Sequence, residues 1–224
     1  MGCEVVFAPA TAVTAGHERL LTARERERWE RFRRDADRER YLLATVLLKA
    51  AVARRVGVAA ADVAVDRSCV RCGVFHGRPR IVGHALHVSL SHSGSYVAVA
   101  LSERGQVGID IEAVTDRRID SLARFVCSPE ERGSIDSHAA FTTTWARKES
   151  VLKAVGVGLT VPMTRLTVTA PSQPPALLAY RGGRLVARME DVSPGPSYAG
   201  CVTVLGGEAP AITFLDSAEV LAGI

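Results

Sequence analysis

The stretch HAAFTTTWARKESVLKAVGVG, residues 138–158, reads as one long helix closed by Gly156 or Gly158. What flanks it decides the fold. Behind it, LTVTA, ALLAY, RLVARME, YAGCVTVLG and AITFL are strand-like pieces separated by proline and glycine. Ahead of it, VGIDIEAV (107–114) is a short strand, a helix fits residues 121–126, and a second helix start is expected at Ser128-Pro129-Glu130-Glu131. There serine takes the cap, proline the first helical position and glutamates the first turn.

The same order of helix and then strands precedes this block. Residues 17–57, HERLLTARERERWERFRRDADRERYLLATVLLKAAVARRVG, place Trp29, Phe32, Tyr41, Leu42, Val46 and Leu47 at spacings of one, three and four. They read as two helices with a break near Asp35-Ala36-Asp37 and an end at Gly57. Their mixed charges read as a solvated face, or else Arg40 and its neighbours turn their donor forks to a ligand's phosphates. VAVDRSCVRCGVF then reads as strand, His76-Gly77-Arg78-Pro79-Arg80 as a turn or loop, and ALHVSLSHSGSYVAVALS as two strands interrupted near Gly94. The fold class is therefore α+β, in two successive blocks, residues 1–103 and 104–224. The blocks share an order of elements and no evident sequence identity.

At 224 residues with 47% hydrophobic and 23% charged side chains, the chain suits one large core or two small domains. Extended disorder, a coiled coil and a collagen-like fibre are poor readings of that composition. The balance of 28 Lys and Arg against 24 Asp and Glu leaves +4. That mild basicity suits an anionic ligand or acidic partner without singling out nucleic acid, and at 5% aromatic residues a stacking surface for single strands is disfavoured. Five scattered cysteines and an N-terminus lacking a basic leader fit a cytoplasmic chain with neither signal peptide nor membrane span. Cys69-Val70-Arg71-Cys72 has the spacing of half a zinc site, but no second close pair accompanies it. The pair reads equally as redox-active or incidental, and neither metal nor catalysis is expected there.

Three segments carry chemistry. On a strand, Asp110 and Glu112 share one face, with Cα atoms about 6.6 Å apart, and Ile109 and Ile111 take the other. Paired carboxylates on an apolar strand call for a compensating cation, unless both simply face water at a strand edge. Oxygen ligands without a fitting histidine cluster favour magnesium or manganese over zinc. On the long helix, Glu149 offers a further ligand, and Lys148 and Lys153 offer cations for phosphate, although a glutamate and lysine four apart also form an ordinary helix pair. Trp145 reads as a core anchor. In HVSLSHSGSY, Ser89, Ser91 and Ser93 share a strand face opposite His92; either a serine sits beside a base, or histidine and hydroxyls bind an anion. A buried structural histidine is the plain alternative. No glycine-rich phosphate loop is present.

GIDIE (108–112), WARKESVLK (145–153), SLSHS (89–93) and GRP (77–79), in this order, resemble the 4′-phosphopantetheinyl transferases of the surfactin-synthetase-activating type. The resemblance runs from about residue 20 to about residue 215. It implies a monomer of two similar α/β halves related by a pseudo-twofold axis, with coenzyme A and magnesium in the cleft between them. It implies Asp110, Glu112 and Glu149 as metal ligands, and Lys153 and His92 as contacts to coenzyme A phosphates. Lys148, Arg40, Arg78 and Ser91 follow as further contacts to the nucleotide or its phosphates. The implied reaction moves the phosphopantetheine arm to a serine of an apo acyl or peptidyl carrier protein and releases adenosine 3′,5′-bisphosphate. Glu149 and Lys153 are its catalytic pair, with the base for the serine proton left between Glu149 and an activated water. Lys49 stands where this family commonly has arginine, and Cys69 and Cys72 are not family signatures. A magnesium-dependent phosphohydrolase and an inactive carrier-binding module are the competing readings.

Overall fold

The computed structural model describes residues 2–116, 119–207 and 211–224, with the backbone alone at 119–121. Strand β1 (Cys3–Pro9) leads to helices α1 (Ala23–Glu30) and α2 (Asp35–Val56), which break just before Asp35 as the charge pattern suggests. Gly57 ends α2 with a left-handed φ of 76°. Then come β2 (Val65–Ser68), β3 (Phe75–Ile81), β4 (His87–Ser93), β5 (Tyr96–Ser102) and β6 (Val107–Ala113). Helices α3 (Ile119–Val126) and α4 (His138–Val155) follow. The chain closes with β7 (Leu166–Val168), β8 (Leu177–Tyr180), β9 (Ala187–Val192), β10 (Tyr198–Leu205), β11 (Ile212–Leu215) and α5 (Ser217–Ala222). The fold is mixed α+β. No helix among the described residues is long and apolar enough to cross a membrane.

The strands form a six-stranded sheet in the order β11-β1-β5-β4-β3-β2, a three-stranded sheet β6-β10-β9 and a β7-β8 pair. Strand alternation assigns their layers. Val97, Val99 and Leu101 of β5 pack on α2 with Val88 of β4. Ala98 and Ala100, on the other face of β5, pack with Val5 against Ile109, Ile111 and Val202 of the smaller sheet. The opposite face of β6 and β10 carries α4. The order is thus helix, sheet, sheet, helix, and the two long helices lie outermost.

Three expectations change. Residues 76–80, read as a loop, lie within β3, and Pro79 is tolerated because β3 pairs with β4 only at Arg80–His87 and with β2 through a bulge. Ser128 to Glu131 forms a turn before a short 3-10 segment, and α4 begins only after the cap at Ser137, whose side chain accepts from Ala140 N. The division after residue 103 is crossed at the end of the chain, where β11 pairs in parallel with β1 and Val220 of α5 joins the core around α2.

Two buried clamps repeat across the chain. In the first, Glu25 accepts from Thr22 N at 2.8 Å, and Lys49 of α2 donates to Glu25 at 2.7 Å and to Leu20 O at 2.6 Å. In the second, Glu131 accepts from Ser128 N at 2.6 Å, and Lys148 of α4 donates to Glu131 and, at 2.8 Å, to Val126 O. Each is a hydroxyl residue followed three positions later by glutamate, held by a lysine of the long helix that also reaches the carbonyl two residues before the hydroxyl. Lys49 therefore stabilises the entry to α1 rather than serving a ligand.

Gly108 sets how closely β6 meets α4. A Cβ there would lie 2.0 Å from Ser150 O and 2.4 Å from Ala154 N, both rigid helix backbone. Gly108→Ala is expected to push α4 off the strand, costing about 1–3 kcal/mol in a urea titration and lowering activity at the site below. An alanine variant of native stability and activity would contradict this close approach.

Candidate active site

β6 is an edge strand of the smaller sheet, so its outward N–H groups need partners. The serine row of β4 supplies them. Ser89 Oγ accepts from Ile109 N and Ser93 Oγ accepts from Ala113 N, both at 3.0 Å. The same row donates to the acidic face, Ser91 Oγ to Asp110 Oδ1 and Ser93 Oγ to Glu112 Oε2, each at 2.8 Å. Ser91, expected to contact the nucleotide, lines the pocket described below and donates its hydroxyl proton to Asp110, holding that carboxylate in place. The part played by Ser89 and Ser93 was legible only as their shared face, because their partners come from another sheet.

α4 closes the site from above. Glu149 and Lys153, four residues apart, share a helix face, and Lys153 Nζ donates to Asp110 Oδ1 at 2.6 Å and to Ile109 O at 3.1 Å. Asp110, Glu112, Glu149 and Lys153 line a pocket of about 240 Å³ with Leu90, Ser91, His92 and Trp145. Trp145 also packs against Phe141 and the core beneath α3 and α4. Burial and the Asp110 carboxylate push the Glu149 carboxyl above its ordinary range, while Lys153 pulls the other way. Burial first, then the Arg40 and Lys153 cations, hold His92 below its usual value, so its imidazole is neutral at pH 7.

The basic residues divide. Arg40 donates to Gly94 O at 3.2 Å and pairs with Asp37, and its charge is felt at His92 beside the pocket. Neighbouring arginines are used to join elements: Arg28 donates to Phe75 O at 2.7 Å, and Arg38 lies over the Trp29 ring. Arg78 donates to Ala154 O and Gln106 Oε1, both at 2.9 Å, tying β3 to the end of α4, and burial lowers its pKa. Lys148, expected to meet phosphate, is fully buried. Its ammonium donates to Glu131 and to the carbonyls of Val126, Met163 and Leu166, which exceeds its three protons and leaves none for a ligand. Glu131 was missed because its spacing after Ser128 reads as a helix cap.

Asp110 Oδ2 is buried without a hydrogen-bond partner. An orphaned carboxylate oxygen beside two further carboxylates is a donor set that a hard divalent cation fits, and the all-oxygen set suits magnesium or manganese. Glu149→Gln tests the electrostatics. A carboxyl with a raised folded value stabilises the fold fully below its ordinary 4.5, and that contribution is lost as pH rises through the folded value. With divalent cations chelated, the variant is expected to melt higher than the parent at pH 7–8, and the gain should vanish below pH 4.5. Equal melting temperatures at pH 7–8 would contradict the crowding of the three carboxylates.

Residues 106–199 match the model of the 4′-phosphopantetheinyl transferase superfamily. Residues 7–104 match that of the 4′-phosphopantetheinyl transferase N-terminal region. A 4′-phosphopantetheinyl transferase of Bacillus subtilis is 30% identical over 156 residues, 66% of this chain and 66% of that protein. A phosphopantetheinyl transferase of Thraustochytrium is 29% identical over 184 residues, 73% of this chain and 62% of that protein. The transferase AcpT of Salmonella typhi is 39% identical over 88 residues, 36% of this chain and 46% of its own length. The chain thus spans just under two thirds, or less, of these curated relatives. The two models meet at the junction of β5 and β6, where the serine row of one matched region holds the acidic strand of the other. The chain belongs to the 4′-phosphopantetheinyl transferase superfamily.

Proposed function

We propose that this chain transfers the 4′-phosphopantetheine arm of coenzyme A to a serine hydroxyl of an apo carrier protein, as a transferase of the surfactin-synthetase-activating type. The observation that carries the reading is the convergence of Asp110, Glu112 and Glu149 with Lys153 in one pocket. The three carboxylates would hold the divalent cation, which when bound neutralises pyrophosphate charge. Lys153 neutralises charge growing on the departing bisphosphate, and neutral His92 offers a hydrogen bond to a phosphate oxygen at the rim. Arg40 adds positive potential there. The serine oxygen attacks the β-phosphorus, the pyrophosphate P–O bond breaks, and the serine proton passes to a carboxylate oxygen of Glu149 or to a water beside it. Arg78 acts through the end of α4 rather than on the ligand.

The reading includes two similar halves about a pseudo-twofold axis, with the pocket in the cleft between them. The paired clamps of Lys49 with Glu25 and Lys148 with Glu131 support it, as does the placing of α2 and α4 on opposite outer faces. It also includes a monomeric state, and a cytoplasmic location supported by the odd, scattered cysteines. Intact-protein mass spectrometry of several apo carrier proteins incubated with this chain, coenzyme A and magnesium tests it. The expected result is a mass gain of one phosphopantetheine arm on the carrier serine, lost with chelator. Coenzyme A cleaved with no modified carrier would establish a phosphohydrolase instead. Intact coenzyme A across all carriers would point to a binding module.

A further inference from the structure

The turn joining β2 to β3 gathers three soft or borderline donors outside the pocket. Cys69 Sγ, Cys72 Sγ and a ring nitrogen of His76 all lie within 4.8 Å of one another, with Cys72 Sγ and His76 Nε2 3.0 Å apart. Tetrahedral zinc, with bonds of about 2.3 Å to sulfur and 2.0 Å to nitrogen, spaces such atoms by roughly 3.5–3.8 Å.

The backbone builds this gathering. Cys69 N donates to Val74 O and Gly73 N donates back to Cys69 O, both at 2.8 Å, and Gly73 takes a left-handed φ of 71° that closes the loop. The turn then enters β3, which brings His76 back over Cys72. Cys72 and His76 are exposed and Cys69 partly so, within reach of an ion from solution. Cys3, Cys127 and Cys201 are buried elsewhere.

We propose that Cys69, Cys72 and His76 bind one zinc ion, with water in the fourth position, as a structural clip on the β2–β3 turn. Two thiolates and an imidazole select zinc, whereas the all-oxygen carboxylate trio selects magnesium or manganese, so the two sites do not compete. Binding releases two protons at neutral pH and leaves a complex of zero net charge. The clip also fixes the backbone of Arg71, which lines a second cavity of about 510 Å³ with Arg165 and Arg181. The inference uses no residue of the catalytic pocket and stands apart from the proposed reaction.

The test is a titration of the reduced, metal-stripped full chain with Co(II) and then Zn(II). The expected result is a thiolate-to-cobalt charge-transfer band that saturates at one equivalent and is bleached by one equivalent of zinc. Cys69→Ser and Cys72→Ser should abolish the band, and Asp110→Asn should keep it. His76→Ala should weaken zinc binding by more than the roughly 10–100-fold that loss of an outer-shell partner costs. Absence of the band in the reduced parent chain, which needs no variant to fold, would overturn the proposal. So would a band that survives removal of both cysteines. Failure of the reduced chain to bind zinc, with an air-oxidised chain two hydrogens lighter through a Cys69–Cys72 bond, would assign the pair to redox chemistry and overturn it as well.

Discussion

Asp110→Asn is expected to lower the proposed transfer to a carrier protein by at least about 10²–10³-fold while the chain stays folded. The substitution preserves shape and keeps an oxygen for Ser91, so the strand and its serine row remain. It removes the charge that meets Lys153 at 2.6 Å and replaces the unpartnered oxygen, or its neighbour, with an amide nitrogen. Loss of an ion-pair partner costs about 3–5 kcal/mol when both groups are buried. Here the Lys153 side chain is 27% exposed, and removing one of three crowded carboxylates relieves repulsion, so the net change in stability should stay below about 2 kcal/mol. Turnover with carrier and coenzyme A, paired with a urea titration, separates the two effects. Retained turnover in the asparagine variant would remove the acidic trio from the reaction, and a collapsed midpoint would show that Asp110 is structural first.

Lys148→Met should do the reverse. It leaves Glu131 buried without its cation and strips a donor from three buried carbonyls. The expected cost is about 3–5 kcal/mol, or a fall in Tm of roughly 6–20 °C for a chain of this size. Any loss of activity should follow loss of folded protein, with the coenzyme A KM of the surviving fraction unchanged. Pairing it with Glu131→Gln should recover part of the stability, because the uncompensated charge is then gone. A stable Lys148→Met with a raised KM for coenzyme A would restore this lysine to the binding site.

These two residues mark the boundary of what the sequence discloses. Asp110 and Glu112 were placed on one face by the two-residue period of a strand, and Glu149 and Lys153 by the four-residue spacing of a helix. That is local geometry, which the chain specifies by itself. Lys148 adjoins Glu149, yet a helix turns about 100° per residue, so its side chain leaves the shared face and enters the core beneath. Only packing against α3 and the segment before β7 shows that four acceptors wait there. Ser91 followed the same rule: its face was legible, but its partner lies on the other sheet.

The helix that starts at Ser128 in the sequence reading illustrates a different limit. A hydroxyl residue followed three positions later by glutamate satisfies the same backbone N–H in a turn as at a helix start, and the competing demand of Lys148 for Glu131 selects the turn. β3 likewise keeps Pro79 because its neighbours pair irregularly, which is a property of the sheet rather than of the strand.

The α+β class, the two blocks of helix followed by strands, the helix break near Asp35 and end at Gly57, and the shared faces of acidic and basic side chains were legible in the residues alone. All of these follow from backbone periodicity and capping, which act over a few residues. Tertiary structure decided that the last strand returns to β1, that Gly108 lets α4 touch β6, that Lys49 and Lys148 are paired clamps, and that His76 joins Cys69 and Cys72. Each of those depends on the partner that burial brings alongside, and a buried charge or donor settles only where its full set of acceptors converges.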